Sequence, residues 1–576
     1  MNIKSGMKIV GYVFVAFVAF YFLMIYGNYL VQSIVKLNQK KETNIYAAPG
    51  NLPNYKLTDN KSVYSYEGNI NSLYITTFTG TNPAGTKTFS LTDLNNDFDY
   101  NQGVNTPQVN VLVKEGSLNG IFGKLGFGID TFNGSMRVRG HSTRLSDYKS
   151  YKIKLYDGNY FLGYDTININ KHPHDCSKLM NKFCYDLISF LPDMVSLRTE
   201  FVHVYIKEGS VPNGDYVDYG LYTFVEEPDK SYLSLHNLSP NGALYKAESF
   251  EFYLYDELKA QDDPAYNEEE FDKRLAIKVE SDNSKLINML KDINDTSKDF
   301  DAVFNKYFDK DNYLTWLAVN ITLGNLDTTS QNYMIYSPEN SEKWYFLPWD
   351  YDGCLDLTDT IIKANATLPE GFRGLSRYYT VSLHKRFFSN PKNIEALDKK
   401  IEDIYKVFTS DKAREMLARY KKVVVPLIDT VPYGRIATRM KSEIAAVYID
   451  EFFDIMGKNK ALYYKIKNFP LPIHLSVPEK TEDGGMLFKW SESRDIQGDL
   501  IHYELTVARD PDFNDVVVSE NNLYSIQYKL TTPLPAGDYF FKIRVVDTSG
   551  NEQFAYDYYR DPNDVKHYGF IQFTVD

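Results

Sequence analysis

Only three cysteines, Cys176, Cys184 and Cys354, occur in 576 residues. That number excludes a disulfide framework and a four-cysteine zinc site, and it leaves the redox compartment open. Cys176 and Cys184 are expected as small buried apolar residues. Positive charge is also short: 63 Lys and Arg face 76 Asp and Glu, a net charge of −13. A sequence-independent nucleic-acid binder needs a basic footprint to release counterions, so no nucleic-acid partner is expected. A local basic patch for a phosphate is not excluded by that balance. No G-x-x-x-x-G-K-[ST], G-x-G-x-x-G or G-x-S-x-G is present, so P-loop, dinucleotide-fold and lipase-like readings have no support. No internal repeat marks a solenoid or propeller.

Long uncharged runs are absent with one exception. Residues 9–26, IVGYVFVAFVAFYFLMIY, carry no charge. At about 1.5 Å per residue they nearly cross a hydrocarbon core of about 30 Å, and GNYLV extends them. No small-x-small cleavage site follows closely, so 9–31 reads as an uncleaved transmembrane anchor and not a signal peptide. Lysines flank both ends. A first apolar segment ahead of a long soluble body favours an extracytoplasmic body on a single-pass anchor.

The remainder is globular by composition, with 43% hydrophobic and 24% charged residues. Residues 1–8 form a tail, and 32–104 read as a linker with a β-rich lead-in. Period-2 strands follow at VNVLV (109–113), MRVR (136–139) and YKIKL (151–155). NKFCYDLISF (181–190) reads as an amphipathic helix. Asp311 is expected to cap a helix that Gly324 stops. Residues 391–466 are helical by periodicity. Residues 467–576 turn to short, evenly spaced strands and resemble a fibronectin type III module, with Trp490 in an early strand and Tyr503 opposite.

The chemistry is concentrated at 324–353, GNLDTTSQNYMIYSPENSEKWYFLPWDYDG. Asp327 follows a helix, and Asn332 lies five residues on, the D-x4-N spacing of a protein-kinase catalytic loop. That spacing alone is common by chance. The strands flanking SPENS form a hairpin expected to set Asn332 opposite about residue 348, which returns Asp350 to the neighbourhood of Asn332 and Asp327. Asp350, Asn332 and Asp352 are hard oxygen donors suited to Mg²⁺ or Mn²⁺, or else they stabilise a turn. Alternation puts Lys152 and Lys154 on one strand face and Arg137 with Arg139 on another. These make either a phosphate cradle or ordinary edge-strand lysines. Glu226-Glu227 offers a carboxylate to orient a lysine. His172-Pro173-His174-Asp175-Cys176 looks like a soft-metal cluster but has no second half, and Asp175 or Ser177 more simply caps the next helix.

Several blocks resemble the CotH family of spore coat protein kinases and their relatives. They are MRVRGHSTRLSDYKSYKIKL, NKFCYDL, YGLYTFVEEPDKSYL, GALYKA and LAVNITLGNLDTTSQNYMIY with KWYFLPWDYDG, in family order from about 107 to 465. The resemblance implies an α+β, atypical protein-kinase-like domain over 105–466 that binds ATP with Mg²⁺ or Mn²⁺ and phosphorylates Ser/Thr hydroxyls of a coat or envelope protein. It gives Asp327 the catalytic-loop position and Asn332 and Asp350 the metal positions, with Asp352 nearby. Arg139, Lys152 and Lys154 fall in the basic block, and Glu226 takes the acidic position. His141 replaces the family's Asn, Arg144-Leu145 its Trp, and Gln331 its His. A non-catalytic surface or envelope protein on the same fold is the alternative, and an envelope glycan is a third kind of acceptor.

Overall fold

The computed structural model describes residues 56–576 apart from 100–102, 141, 148, 174, 212–213, 356–367 and 430–440. The anchor expected at 9–31 lies outside the described residues. Among the described residues no helix is long and apolar enough to cross a membrane.

Alternating apolar side chains make the first half a β-structure. Its strands are β1 (Ile70–Phe78), β2 (Val109–Ser117), β3 (Gly134–Arg139), β4 (Ser150–Leu155), β5 (Thr166–Asn170), then, after helix α1 (Met180–Ser189), β6 (Thr199–Glu208) and β7 (Val217–Val225). They bond in the order β1-β6-β7-β5-β4-β3-β2, and β2 pairs back onto β1. The sheet therefore closes into a barrel with no free long edge. β1 runs parallel to β6, with Ile70 beside Phe201, and antiparallel to β2, with Ser72 beside Gly116. Val111, Met136, Val138, Tyr151, Ile153, Ile169, Val204 and Phe224 belong to its core. Here the expected boundary is corrected. Residues 70–78 are a stave of the barrel, not part of a lead-in outside a domain starting at 105.

α1 is the expected NKFCYDLIS helix, and it is buried on every side, its polar face included. It tolerates two charges by pairing them: Lys182 Nζ lies 2.9 Å from Asp186 Oδ2, one helical turn on. All three cysteines are free and buried.

A second sheet follows, built from β8 (Ala243–Ala247), β9 (Leu275–Val279), β10 (Tyr333–Ser337) and β11 (Tyr345–Pro348), in the order β9-β8-β10-β11. Between β9 and β10 runs α2 (Lys310–Leu323), almost wholly buried. Its cap is Asp309, whose side chain accepts from Asn312 N at 2.9 Å, two residues ahead of the expected Asp311. Gly324 stops it as expected, at φ 68, where a Cβ would meet Asn459 Nδ2 at 2.7 Å. The helical part includes α3 (Pro391–Phe408), α4 (Asp411–Ile428) and α5 (Phe452–Ile466).

The last hundred residues are a β-sandwich. A three-stranded sheet faces a larger one built on Ile501–Ala508, Gly537–Asp547 and Lys566–Val575. Trp490 and Tyr503 meet in its core with ring centroids 5.5 Å apart. The sandwich is seated on the helical part. Phe372 packs on Tyr556 at 4.8 Å, Gln553 Nε2 donates to Gly371 O at 2.8 Å, and Gln497 Nε2 donates to Lys467 O at 3.2 Å.

Candidate active site

The basic wall follows from strand register. Arg137 pairs with Lys152 across β3 and β4, so Arg137, Arg139, Lys152 and Lys154 share the outer face of the barrel while Val138, Tyr151 and Ile153 fill its inside. Lys152 Nζ lies 2.8 Å from Glu227 Oε1, and Lys278 Nζ lies 3.9 Å from the same oxygen. Asn168 Nδ2 donates to Glu227 Oε2 at 2.7 Å. Burial is the largest influence on Glu227 and favours the neutral acid, but Lys152, Lys278 and the amide together outweigh it and bring the carboxyl down to about 2. Lys154 sits half-exposed at the rim, 2.7 Å from Asp165. Arg139 donates to Asn170 Oδ1, and both Glu227 and Asp350 act on its charge.

Glu226, expected at the acidic position, is elsewhere. It is fully buried, bonded to His236 Nε2 at 2.9 Å, Tyr164 OH at 2.7 Å and Arg198 N at 2.9 Å. His236 Nδ1 continues the chain to Asp59 Oδ1 at 2.7 Å. Burial lowers the His236 pKa, but the two carboxylates outweigh it and push it up to about 9. The residue beside the lysine is Glu227. Period-2 alternation carries that signal: Glu226 has the parity of core residues Tyr222 and Phe224, and Glu227 the parity of the outer face.

The acidic wall is set by α2 and the β10–β11 hairpin. Tyr333 pairs with Pro348, one residue from the expected register, so Asn332 and Asp350 flank the open end of the hairpin. Both adopt positive φ, 59° and 54°, a conformation that Asn and Asp bear better than most residues. Asp327 Oδ2 accepts from Gln331 Nε2 at 2.6 Å and Asn332 Nδ2 at 3.0 Å. The carboxyl of Asp327 is solvent-accessible but walled by protein, and that desolvation raises its pKa. Tyr185 OH on α1 accepts from Asp350 N at 2.9 Å, and Asn325 Nδ2 donates to Asp350 O at 3.2 Å. Burial, then the neighbouring Asp352, pushes the Asp350 carboxyl up to about 7. Asp327, Asp350 and Asp352 act on one another's charge, although their oxygens do not all close within 4.8 Å of one another.

Three residues of the cleft were not singled out in the sequence. Lys246 stands 5.5 Å from the Trp349 ring centre and offsets the charge of Asp350. Lys278 joins Glu227. Arg377 donates to Leu326 O at 2.8 Å beside Asp327. Lys246 lies in the GALYKA block, which was given no role, and Lys278 and Arg377 come from elements with no distinctive spacing, so only the tertiary fold brings those two in. In the HPHDC segment, His174 lies outside the described residues, as does His141. His172 is buried with Nδ1 3.6 Å from Asp352 Oδ2, and burial lowers it to about 4. Asp175 Oδ2 accepts from Met180 N at 3.1 Å, the expected helix-capping role.

A family model described as CotH kinase protein matches residues 136–454. The chain belongs to the CotH kinase protein family. The CotH match takes in both walls of the cleft and leaves out β1 and the sandwich. The chain is 30% identical over 217 residues to the inner spore coat protein H of Bacillus subtilis (strain 168), which is 37% of this chain and 56% of that protein. It thus spans little more than half the length of this curated relative. Among solved structures, the proinflammatory kinase CtkA of Helicobacter pylori is 12% identical, covering 55% of this chain and 94% of that one with a TM-score of 0.20. A chain of the toxin–antitoxin HipA, HipB and operator DNA complex of Shewanella oneidensis MR-1 is 12% identical, covering 52% of this chain and 59% of that one with a TM-score of 0.23. Superpositions this loose establish no shared fold.

Proposed function

We propose that this CotH-family protein is a phosphotransferase that binds ATP with Mg²⁺ or Mn²⁺ and passes the γ-phosphoryl group to a Ser or Thr hydroxyl of a coat or envelope protein. One observation carries the reading: Glu227, paired with Lys152, and Asp350 both act on the charge of Arg139, so the basic strand face and the acidic hairpin come near one another. The carboxylates of Asp350 and Asp352 and the side-chain oxygen of Asn332 are hard oxygen donors, and a hard divalent cation would offset the repulsion between the two carboxylates, so the residues fit one. Such an ion, when bound, neutralises charge on the β- and γ-phosphate oxygens.

The chain's own residues do the rest. Arg139 and Lys152 orient phosphate oxygens, and Glu227 holds Lys152 in place. Asn332 and Gln331 fix the plane of Asp327, which receives the acceptor's hydroxyl proton. The acceptor oxygen bonds to the γ-phosphorus as that phosphorus parts from the β–γ bridging oxygen, and ADP leaves. Positioning and charge stabilisation carry such a step. Calorimetric ATP titration of the full chain with and without Mn²⁺ tests this. Binding that needs Mn²⁺ and is lost in Asp350→Ala supports it, and absence of binding under both conditions rejects it.

A second reading, a non-catalytic assembly protein, draws on the relative's printed role as a spore coat protein. Full in vivo function of an Asp327→Asn/Asp350→Asn double variant would favour it. We further propose that residues 9–31 anchor the body outside the membrane. Digestion of the sandwich by protease only after cell lysis would reverse that orientation.

A further inference from the structure

The loop that carries Asp327 is gripped from outside by one short segment. Arg377 Nε donates to Leu326 O at 2.8 Å. Thr328 Oγ1 donates to Asn325 O at 3.2 Å, which uses its single proton, so the Tyr378 hydroxyl donates to Thr328 Oγ1 across 2.9 Å. Consecutive residues of the helix Leu375–Tyr378 thus hold the two chain neighbours of Asp327, one on each side. The bonds to the Asp327 carboxylate itself come from its own loop, from Gln331 and Asn332.

That helix is a single turn, and a single turn does not hold itself in water. Its support comes from two directions. Gly374, at φ 58, turns the chain onto α5, where a Cβ would touch Tyr463. The other support is the sandwich. Phe372 packs on the Tyr556 and Tyr568 rings, with centroids 4.8 and 5.9 Å away, and Gly371 O accepts from Gln553 Nε2 at 2.8 Å. The Tyr556 hydroxyl is shut off from solvent and has no hydrogen-bond partner, so what Tyr556 brings to the seam is its ring. The charge of Arg377 acts on Tyr556 as well as on Asp327.

We propose that the sandwich is a positioning element of the transfer site: docked on residues 370–372, it holds the segment whose Arg377 and Tyr378 aim Asp327. The inference rests on the reading of Asp327 as the group that receives the hydroxyl proton. Fixing Leu326 O and Thr328 Oγ1 fixes the backbone on both sides of Asp327, and with it the direction of its side chain. A misplacement of about 1 Å in such a group costs roughly 100-fold in rate. Arg139 and Lys152 sit on barrel strands outside this chain of contacts, so loosening the seam lowers turnover without weakening nucleotide binding. The family match ends at residue 454, so the sandwich supports the site from beyond it.

The test is hydrogen exchange of the nucleotide-free full chain, read by mass spectrometry. In Tyr556→Ala, and in the milder Gln553→Ala, peptides covering 370–378 and 324–332 are expected to exchange about tenfold faster. Peptides of the barrel strand 150–155 and the sandwich strand 537–547 keep the wild-type rate and report that both parts are folded. Should Tyr556→Ala unfold the strand at 537–547, Gln553→Ala decides alone. Tyr556→Phe, which loses an unpartnered hydroxyl and keeps the ring, is expected to match the wild type. ATP turnover with Mn²⁺ adds a second readout: Arg377→Met lowers kcat roughly tenfold or more with KM for ATP within about twofold, and Arg377→Lys recovers much of the loss. Unchanged exchange at 324–332 in folded seam variants, or wild-type kcat in Arg377→Met, overturns the proposal. A wild-type chain that turns over no ATP rejects the phosphotransferase reading instead, and the exchange result still decides whether the sandwich holds the loop.

Discussion

Neighbouring glutamates do opposite work here. Glu226 completes a buried chain through His236 to Asp59, whereas Glu227 meets Lys152 in the cleft. Glu226→Gln leaves the buried His236 charge half-compensated and is expected to cost about 3–5 kcal/mol, read by denaturant unfolding. Glu227→Gln is expected to weaken ATP binding about tenfold with a much smaller loss of stability, read by titration. Two raised values act on the pH dependence of the cation-free chain. Asp350, up from 3.8 to about 7, favours the fold while protonated, so its contribution is lost as pH rises from about 4 through 7. His236, up from 6.5 to about 9, contributes fully below 6.5 and loses its contribution as pH rises through 9. Buried His172, lowered to about 4, and Lys178, lowered to about 8, act in the opposite sense, so the Asp350 effect is read as a difference between wild type and variant. The melting temperature of the wild type relative to Asp350→Asn should fall as pH rises from about 4 through 7, and a relative rise over this range would contradict the assignment. Asp327, Asn332 and Asp350 were legible as a group because a hairpin joins them over a short stretch of chain. Choosing between Glu226 and Glu227 needed the strand's parity, which a family motif does not state.

Among the elements, β1 was the hardest to place. Its run SLYIT is plainly a strand, but its parallel partner β6 lies more than a hundred residues on, and no local pattern announces such a pairing. A chain shortened to begin at residue 105 is therefore expected not to fold, while one beginning at 56 folds, as circular dichroism and a cooperative melt would show. The α2 boundary was readable at Gly324, whose chemistry is local, and two residues off at its start, where Asp309 and Asp311 are equally good caps by composition. Gly324→Ala forces a side chain into a left-handed turn and against Asn459. A loss of about 1–2 kcal/mol is expected, with transfer activity falling more than stability because Asp327 hangs on that turn.

Across the whole molecule, the sandwich and the helical part meet through rings and amides of both. Shortening the chain to end at 466 uncovers Phe372, now 1% exposed. Such a chain is expected to melt several degrees lower and to self-associate, which light scattering would detect. Nothing in the sequence marked this seam, because its partners are single residues in unremarkable loops. The closed barrel also governs how the protein is made. During synthesis β1 and β2 leave the ribosome long before β6, so their free edge waits while roughly 80 residues are added, at about 5–20 residues per second. For some ten seconds in each round of translation a sticky half-ring stands open, and its traffic with chaperones is fixed by the late arrival of one stave.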